Sequence, residues 1–170
     1  MNNYMSTIDQ AKQVYILLRW PLIMYGIIFG FYIGYVKTHG KYLWFSWHPF
    51  FMMLSYIGLS SNAALIKKIG GYENTRTHGM YMIISILLSS FAWYVIYSNK
   101  EMFKRKHLTT IHGKLGVAIM ISYFMLGIFG AIALNPDWGL FRSNKTMRLV
   151  HKVFGRLSTA AAWFCCLLGR

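Results

Sequence analysis

Long apolar runs alternate with short polar stretches along the whole chain. Five runs stand out, at roughly 20–37, 48–66, 78–98, 112–134 and 149–169. The second and third contain no Asp, Glu, Lys or Arg. Crossing the hydrocarbon core of a bilayer takes about 20 predominantly apolar residues, and each run comes near that length. Helices satisfy their own backbone groups in lipid. The pattern therefore predicts an all-α fold, a polytopic membrane helical bundle with five transmembrane helices. The first run is the shortest. Residues 1–18 read as a polar to mixed tail, and 19–170 as one transmembrane domain.

The segments between runs carry matching punctuation. Arg19-Trp20-Pro21 opens the first run with interfacial residues and a proline suited to a first helical turn. Gly26, Gly30 and Gly34 then recur every four residues, a spacing that lets another helix approach closely. Loop 37–47 is short and ends in aromatics. Loop 67–77 is broken by Gly70-Gly71. Loop 99–111 is the most basic, and loop 135–148 is the longest. No soluble domain, low-complexity segment or linker separates them.

Charge changes the picture in two ways. The formal net charge is +14, yet the acidic residues are only Asp9, Glu73, Glu101 and Asp137, all in the tail or in expected loops. Proton-coupled transporters commonly place carboxylates inside the membrane, so the pattern speaks against one. The basic excess suits anionic lipid headgroups and anionic ligands, and no nucleic-acid partner is expected. Cations divide ten against eight between the two faces, too evenly for orientation to be read from them. Cys165 and Cys166 are adjacent near the end of the last run and read as apolar fillers, with no disulfide framework. No signal-peptide pattern opens the chain.

Four histidines supply the candidate chemistry. His48, His78, His112 and His151 stand at or near the starts of runs two to five. Successive spans are antiparallel, so His48 and His112 share one face of the membrane, and His78 and His151 the other. Haem iron accepts two axial imidazoles, and a four-helix bundle can present one from each of two facing helices. Zinc would want three or four converging ligands. Two histidines per face, with no acidic residue inside, fit two haems better than a metal ion. Arg76, Lys114, Lys152 and Arg156 stand near these histidines, where cations can reach haem propionates. Gly58, Gly116, Gly127, Gly130 and Gly155 mark places for either a macrocycle or a neighbouring helix. His39 and His107 read as interfacial side chains.

These residues also carry a resemblance. Ser46-Trp47-His48-Pro49 with Met52 resembles the second-helix signature of the cytochrome b561 family. His112-Gly113 with Gly116 resembles its fourth-helix motif, and His151, Gly155 and Arg156 its fifth. His78 occupies the remaining position. HLTTIHGKLG is most similar to the shorter branch, the b561-domain transmembrane reductases. The resemblance spans roughly residues 15–169. It implies two b-type haems in a central four-helix core, axially held by His48 with His112 and by His78 with His151. It implies six helices, so a sixth is expected to be lacking from a sequence that ends at Arg170.

The resemblance further implies transmembrane electron transfer from cytosolic ascorbate to monodehydroascorbate or ferric iron on the opposite side. It implies a multi-pass protein of an endomembrane or plasma membrane, with a cytosolic N-terminus. Candidate substrate-attracting residues are Lys67, Lys68, Arg76 and Arg148 on the donor face. The family's lysine-rich motif before the third-helix histidine is only partly matched there. His107, with Lys104, Arg105 and Lys106, is the candidate on the acceptor face. A homodimer is compatible with this reading. Two alternatives stay open: a haem-bearing relay subunit of a larger membrane complex, and a histidine-based metal ion transporter.

Overall fold

The computed structural model describes residues 2–169, so Arg170, counted above among the cations, lies outside the described residues. The described chain is helical with short connections. α1 spans Asn2–Lys37. α2 spans Trp44–Ile69, opening as a 3-10 turn at Trp44–Ser46 and widening to a π-helix over Leu54–Ser60. α3 spans Tyr72–Met102, α4 Ile111–Ile132 and α5 Lys145–Leu168.

The first run, the shortest in the sequence, belongs to the longest helix. α1 has 36 residues and runs straight through Pro21. The tail expected at 1–18 is therefore a continuation of the helix from residue 2 onward. Pro21 is an interior residue rather than a first-turn one. A proline removes one backbone bond from a helix, but membrane helices tolerate it where neighbours supply polar partners. No glycine or second proline precedes it to stop the helix.

Other boundaries shift for local reasons. Lys67 and Lys68 lie in the last turn of α2 rather than in a loop. The break is confined to Gly70 and Gly71, with φ of +80° and +87°, a region that favours glycine. α3 begins six residues before His78, and α5 begins at Lys145, which puts Arg148 on a helix. Thr110 and Asn144 cap α4 and α5, their side chains accepting from the backbone N–H of Gly113 and Met147.

α1 to α4 are long and apolar enough to cross a membrane. α5 is long enough, but Lys145, Arg148, Lys152 and Arg156 interrupt its hydropathy. Most large apolar side chains on the outer faces are exposed, among them Ile28, Leu87, Ile121, Met125 and Leu157. Such a surface needs lipid around it.

Side-chain bonds show how the helices close on one another. Ser55 and Ser85 join α2 to α3 through paired hydroxyls 2.8 Å apart. Tyr123 on α4 meets Ser60 on α2 at 2.7 Å and Thr159 on α5 at 3.2 Å. Trp163 on α5 donates to Ser61 on α2 at 3.1 Å. α2 to α5 thus form a four-helix core, and α1 lies against α2 from outside. There the glycines of α1 do what their spacing predicts. A Cβ at Gly26, Gly30 or Gly34 would meet the α2 backbone at 3.0, 2.9 and 2.9 Å.

Candidate functional site

His48 opens α2 because the 3-10 turn at Trp44–Ser46 aims the chain into the bundle. That turn is fixed by Ser46, which is fully buried and donates to the Gly34 carbonyl of α1 at 2.9 Å. His112 follows the Thr110 cap of α4. The two imidazoles face each other with ring centroids 6.3 Å apart and planes at 88°. At the other end, His78 of α3 and His151 of α5 face each other at 6.4 Å and 83°. The structure therefore brings together the two pairs that alternation of the spans groups by face.

These separations can be tested against an iron between the rings. A metal-bound imidazole nitrogen lies about 2 Å from a first-row metal, and the ring centre about 1 Å farther, so two imidazoles on opposite sides have centres about 6 Å apart. Both pairs match that spacing. Direct contact between rings would bring them closer, so each pair holds a gap about one metal wide.

Hydrogen bonds set which nitrogen keeps a free lone pair. Nδ1 of His48 donates to the Ala92 carbonyl at 2.9 Å, Nδ1 of His112 to the Cys165 carbonyl at 3.0 Å, and Nδ1 of His78 to the Ala63 carbonyl at 2.8 Å. A carbonyl only accepts, so in these three rings Nδ1 carries the proton and Nε2 keeps its lone pair. This is the outer-shell arrangement that orients a metal-ligating histidine. His151 differs: its Nδ1 is buried and has no hydrogen-bond partner among the described residues. Packing positions it instead, with Phe129 stacked at 6.1 Å and Gly130 against its ring edge.

The glycines divide as the two readings of them allowed. A Cβ at Gly58 would approach the α1 backbone, and one at Gly127 would strike Ile86 at 2.7 Å, so both are helix contacts. Gly155, one turn beyond His151, has open space where a Cβ would go, and Gly116, one turn beyond His112, has only the Cys165 sulfur at 3.8 Å. One turn from a histidine of each pair, therefore, the chain leaves a Cβ position open. Gly169 was not singled out in the sequence, and a Cβ there would meet the His112 ring at 2.8 Å. The two imidazoles of each pair, with Nδ1 anchored in three of the four rings, and these open Cβ positions fit a haem at each end.

The charged candidates separate. Lys67 is half-buried and donates to Thr75. It lies within electrostatic reach of Arg148, His78 and His151. Lys68 is exposed and lines a crevice of about 290 Å³ between the ends of α1 and α2, away from that group. Arg76 is exposed and lies over the Tyr72 ring. On the opposite face Lys100 is within reach of His48. His107 is occupied by Glu101, 2.6 Å from its Nε2, and stacks on Tyr97 at 4.9 Å. Glu101 and Tyr97 lie on the last turns of α3, and neither was legible as a partner in the sequence. Among the described residues no group of three or more His, Cys, Asp or Glu converges.

With this geometry in place, comparison with known proteins gives a consistent picture. The family model for eukaryotic cytochrome b561 matches residues 47–170, which takes in all four helices of the core. The chain is 25% identical to the transmembrane reductase CYB561D2 of Mus musculus over 154 residues, covering 83% of this chain and 67% of that protein. It is 23% identical to the Bos taurus protein of the same name over the same lengths.

Proposed function

We propose, since the chain belongs to the eukaryotic cytochrome b561 family, that it is an oxidoreductase carrying single electrons across a membrane between two haem sites. His48 and His112 would hold one haem, and His78 and His151 the other. The observation that carries this reading is the repeated spacing of the two imidazole pairs, 6.3 and 6.4 Å between centroids, at opposite ends of one bundle. The haem supplies one-electron chemistry when bound.

The chain's own part is positional. Backbone carbonyls of Ala92, Cys165 and Ala63 fix three rings with Nε2 free. Gly116 and Gly155 leave open the Cβ positions one turn beyond His112 and His151, and the exposed apolar faces keep the bundle in lipid. Lys67 and Arg148 set positive charge beside His78 and His151, which suits ascorbate as an anionic donor at that face. Lys100 sets charge near His48, where monodehydroascorbate or a ferric chelate would be the acceptor. With the donor in the cytosol, the face of His78 and His151 is cytosolic and so is the N-terminal end of α1.

The test is a sealed vesicle holding the purified protein, ascorbate outside and a ferric chelate inside. Ferrous iron is expected to appear inside, and to cease with His48→Ala. Haem reduction by ascorbate without any reduction inside would instead favour a relay subunit that passes its electrons to another protein.

A further inference from the structure

Between the two histidine pairs lies the only cluster of buried side chains common to α2, α4 and α5 among the described residues, and two tyrosines dominate it. Tyr56 is 5% exposed and Tyr123 2%. Their rings meet edge to face, with centroids 4.9 Å apart. Tyr56 lies eight residues beyond His48 and seven before Ala63, whose carbonyl holds His78. At a rise of about 1.5 Å per residue those intervals are about 12 and 10 Å. Tyr123 lies eleven residues beyond His112 and seven before Gly130, which packs on His151. The pair is thus central along the bundle axis, on the helices that carry His48 and His112.

Two further features hold it there. Tyr56 falls inside the π-helical segment Leu54–Ser60, and such widened turns recur at functional sites. The segment is buried almost all round, with Ser55, Tyr56, Ile57, Gly58 and Ser60 all inside. Tyr123 is clamped by the hydroxyls of Ser60 and Thr159. Leu or Ile would fill the same space with no polar group to satisfy. Two tyrosines in the middle of a membrane bundle instead place two contacting aromatic rings where the rest of the cluster is aliphatic or sulfur-bearing.

We propose that the paired rings of Tyr56 and Tyr123 are the medium through which an electron passes between the two histidine sites. This rests on reading those sites as haem sites. Tunnelling falls off steeply with distance, and more steeply across gaps than through contacting bonded atoms. Two touching aromatic rings shorten the non-bonded part of the path. The rings are not themselves oxidised: one site loses an electron, the other gains it, and no proton moves at either tyrosine.

The test compares two double variants in vesicles loaded with ferricyanide. One is Tyr56→Phe with Tyr123→Phe, which keeps both rings. The other is Tyr56→Leu with Tyr123→Leu, which keeps apolar bulk without rings. Haem content and both reduction potentials are measured first at equilibrium. A flash of light on a flavin photoreductant outside then places an electron on the outward site, and absorbance follows its passage inward. The Phe pair is expected to match the parent, and the Leu pair to slow by an order of magnitude or more with potentials unchanged. Parental speed in a Leu variant holding two haems overturns the proposal and leaves the two-haem reading standing. Equal slowing in the Phe pair also overturns it, since hydroxyls rather than rings would then matter. A parent that binds no haem overturns both.

Discussion

Three of the four histidines are held in the same way, and the fourth is not. An Nδ1–H bond to a carbonyl fixes the ring and raises the basicity of Nε2, and losing such a partner costs about 10–100-fold in metal affinity. His48, His112 and His78 have this bond, while Nδ1 of His151 is buried without one among the described residues. His151 is therefore expected to be the ligand most readily displaced. Carbon monoxide added to the reduced protein should bind at the haem of His78 and His151 and leave the other spectrum unchanged. Binding at the haem of His48 and His112 alone would show that packing by Phe129 and Gly130 holds His151 more firmly than a hydrogen bond does. The positions of the four histidines were legible in the sequence, because each opens a run. Their anchors were not. The carbonyls of Ala92, Ala63 and Cys165 belong to unremarkable apolar residues 15 to 53 positions away, and a backbone acceptor leaves no mark in a side-chain pattern.

At the scale of the helix, the glycine ladder of α1 was legible and so was its role. Gly26, Gly30 and Gly34 meet the α2 backbone along that helix's first half. A methyl group at Gly30 would stand 2.9 Å from the Phe50 Cα, and backbone cannot yield as a side chain can. Gly30→Ala should cost about 1–3 kcal/mol as overpacking, read as a lower thermal unfolding midpoint in detergent. It should also disturb His48 two residues before Phe50. Gly155→Ala, with open space around it, should leave the midpoint nearly unchanged when no haem is bound. An unchanged midpoint for Gly30→Ala would mean that α1 packs less tightly than the structure has it. The extent of α1 and the π-helical turn of α2 escaped sequence reading for a common reason. Hydropathy registers where lipid begins, whereas the helix extends beyond that boundary, and α1 has no glycine or proline between Asn2 and Trp20 to stop it. A change of pitch inside an apolar run leaves the hydropathy of that run unaltered.

For the molecule as a whole, the two ends differ in charge and exposure. Lys67 lies within electrostatic reach of both histidines of one end and of Arg148. Lys100 approaches those of the other, where His107 is paired with Glu101. The sequence supplied Lys67, Lys68, Arg76 and Arg148 as four candidates, and the fold puts Lys67 within electrostatic reach of Arg148 and both histidines while Lys68 lines a separate crevice. Attraction of an anionic donor to such a face weakens as salt screens it. Reduction by ascorbate should slow with ionic strength in the parent. Lys67→Ala with Arg148→Ala should be slower at low salt and nearly insensitive to it. Stopped-flow reduction at several salt concentrations measures both, and a variant with the parental salt dependence would remove these cations from donor capture. The four core helices, their antiparallel order and the grouping of the histidines by face followed from the apolar runs and from the histidines at their starts. The rest depended on tertiary contacts between residues far apart in the chain.

The central claim is that the four histidines act as two separate pairs, one at each end of the bundle. Haem content of purified double variants tests it most directly. His48→Ala with His112→Ala removes one pair and leaves the other intact, so one haem per chain should remain, against two in the parent. His48→Ala with His78→Ala takes one ligand from each pair, so both sites should be impaired and the chain should retain little or no haem. Equal haem loss in the two double variants, or a parent that binds fewer than two haems, would contradict the account.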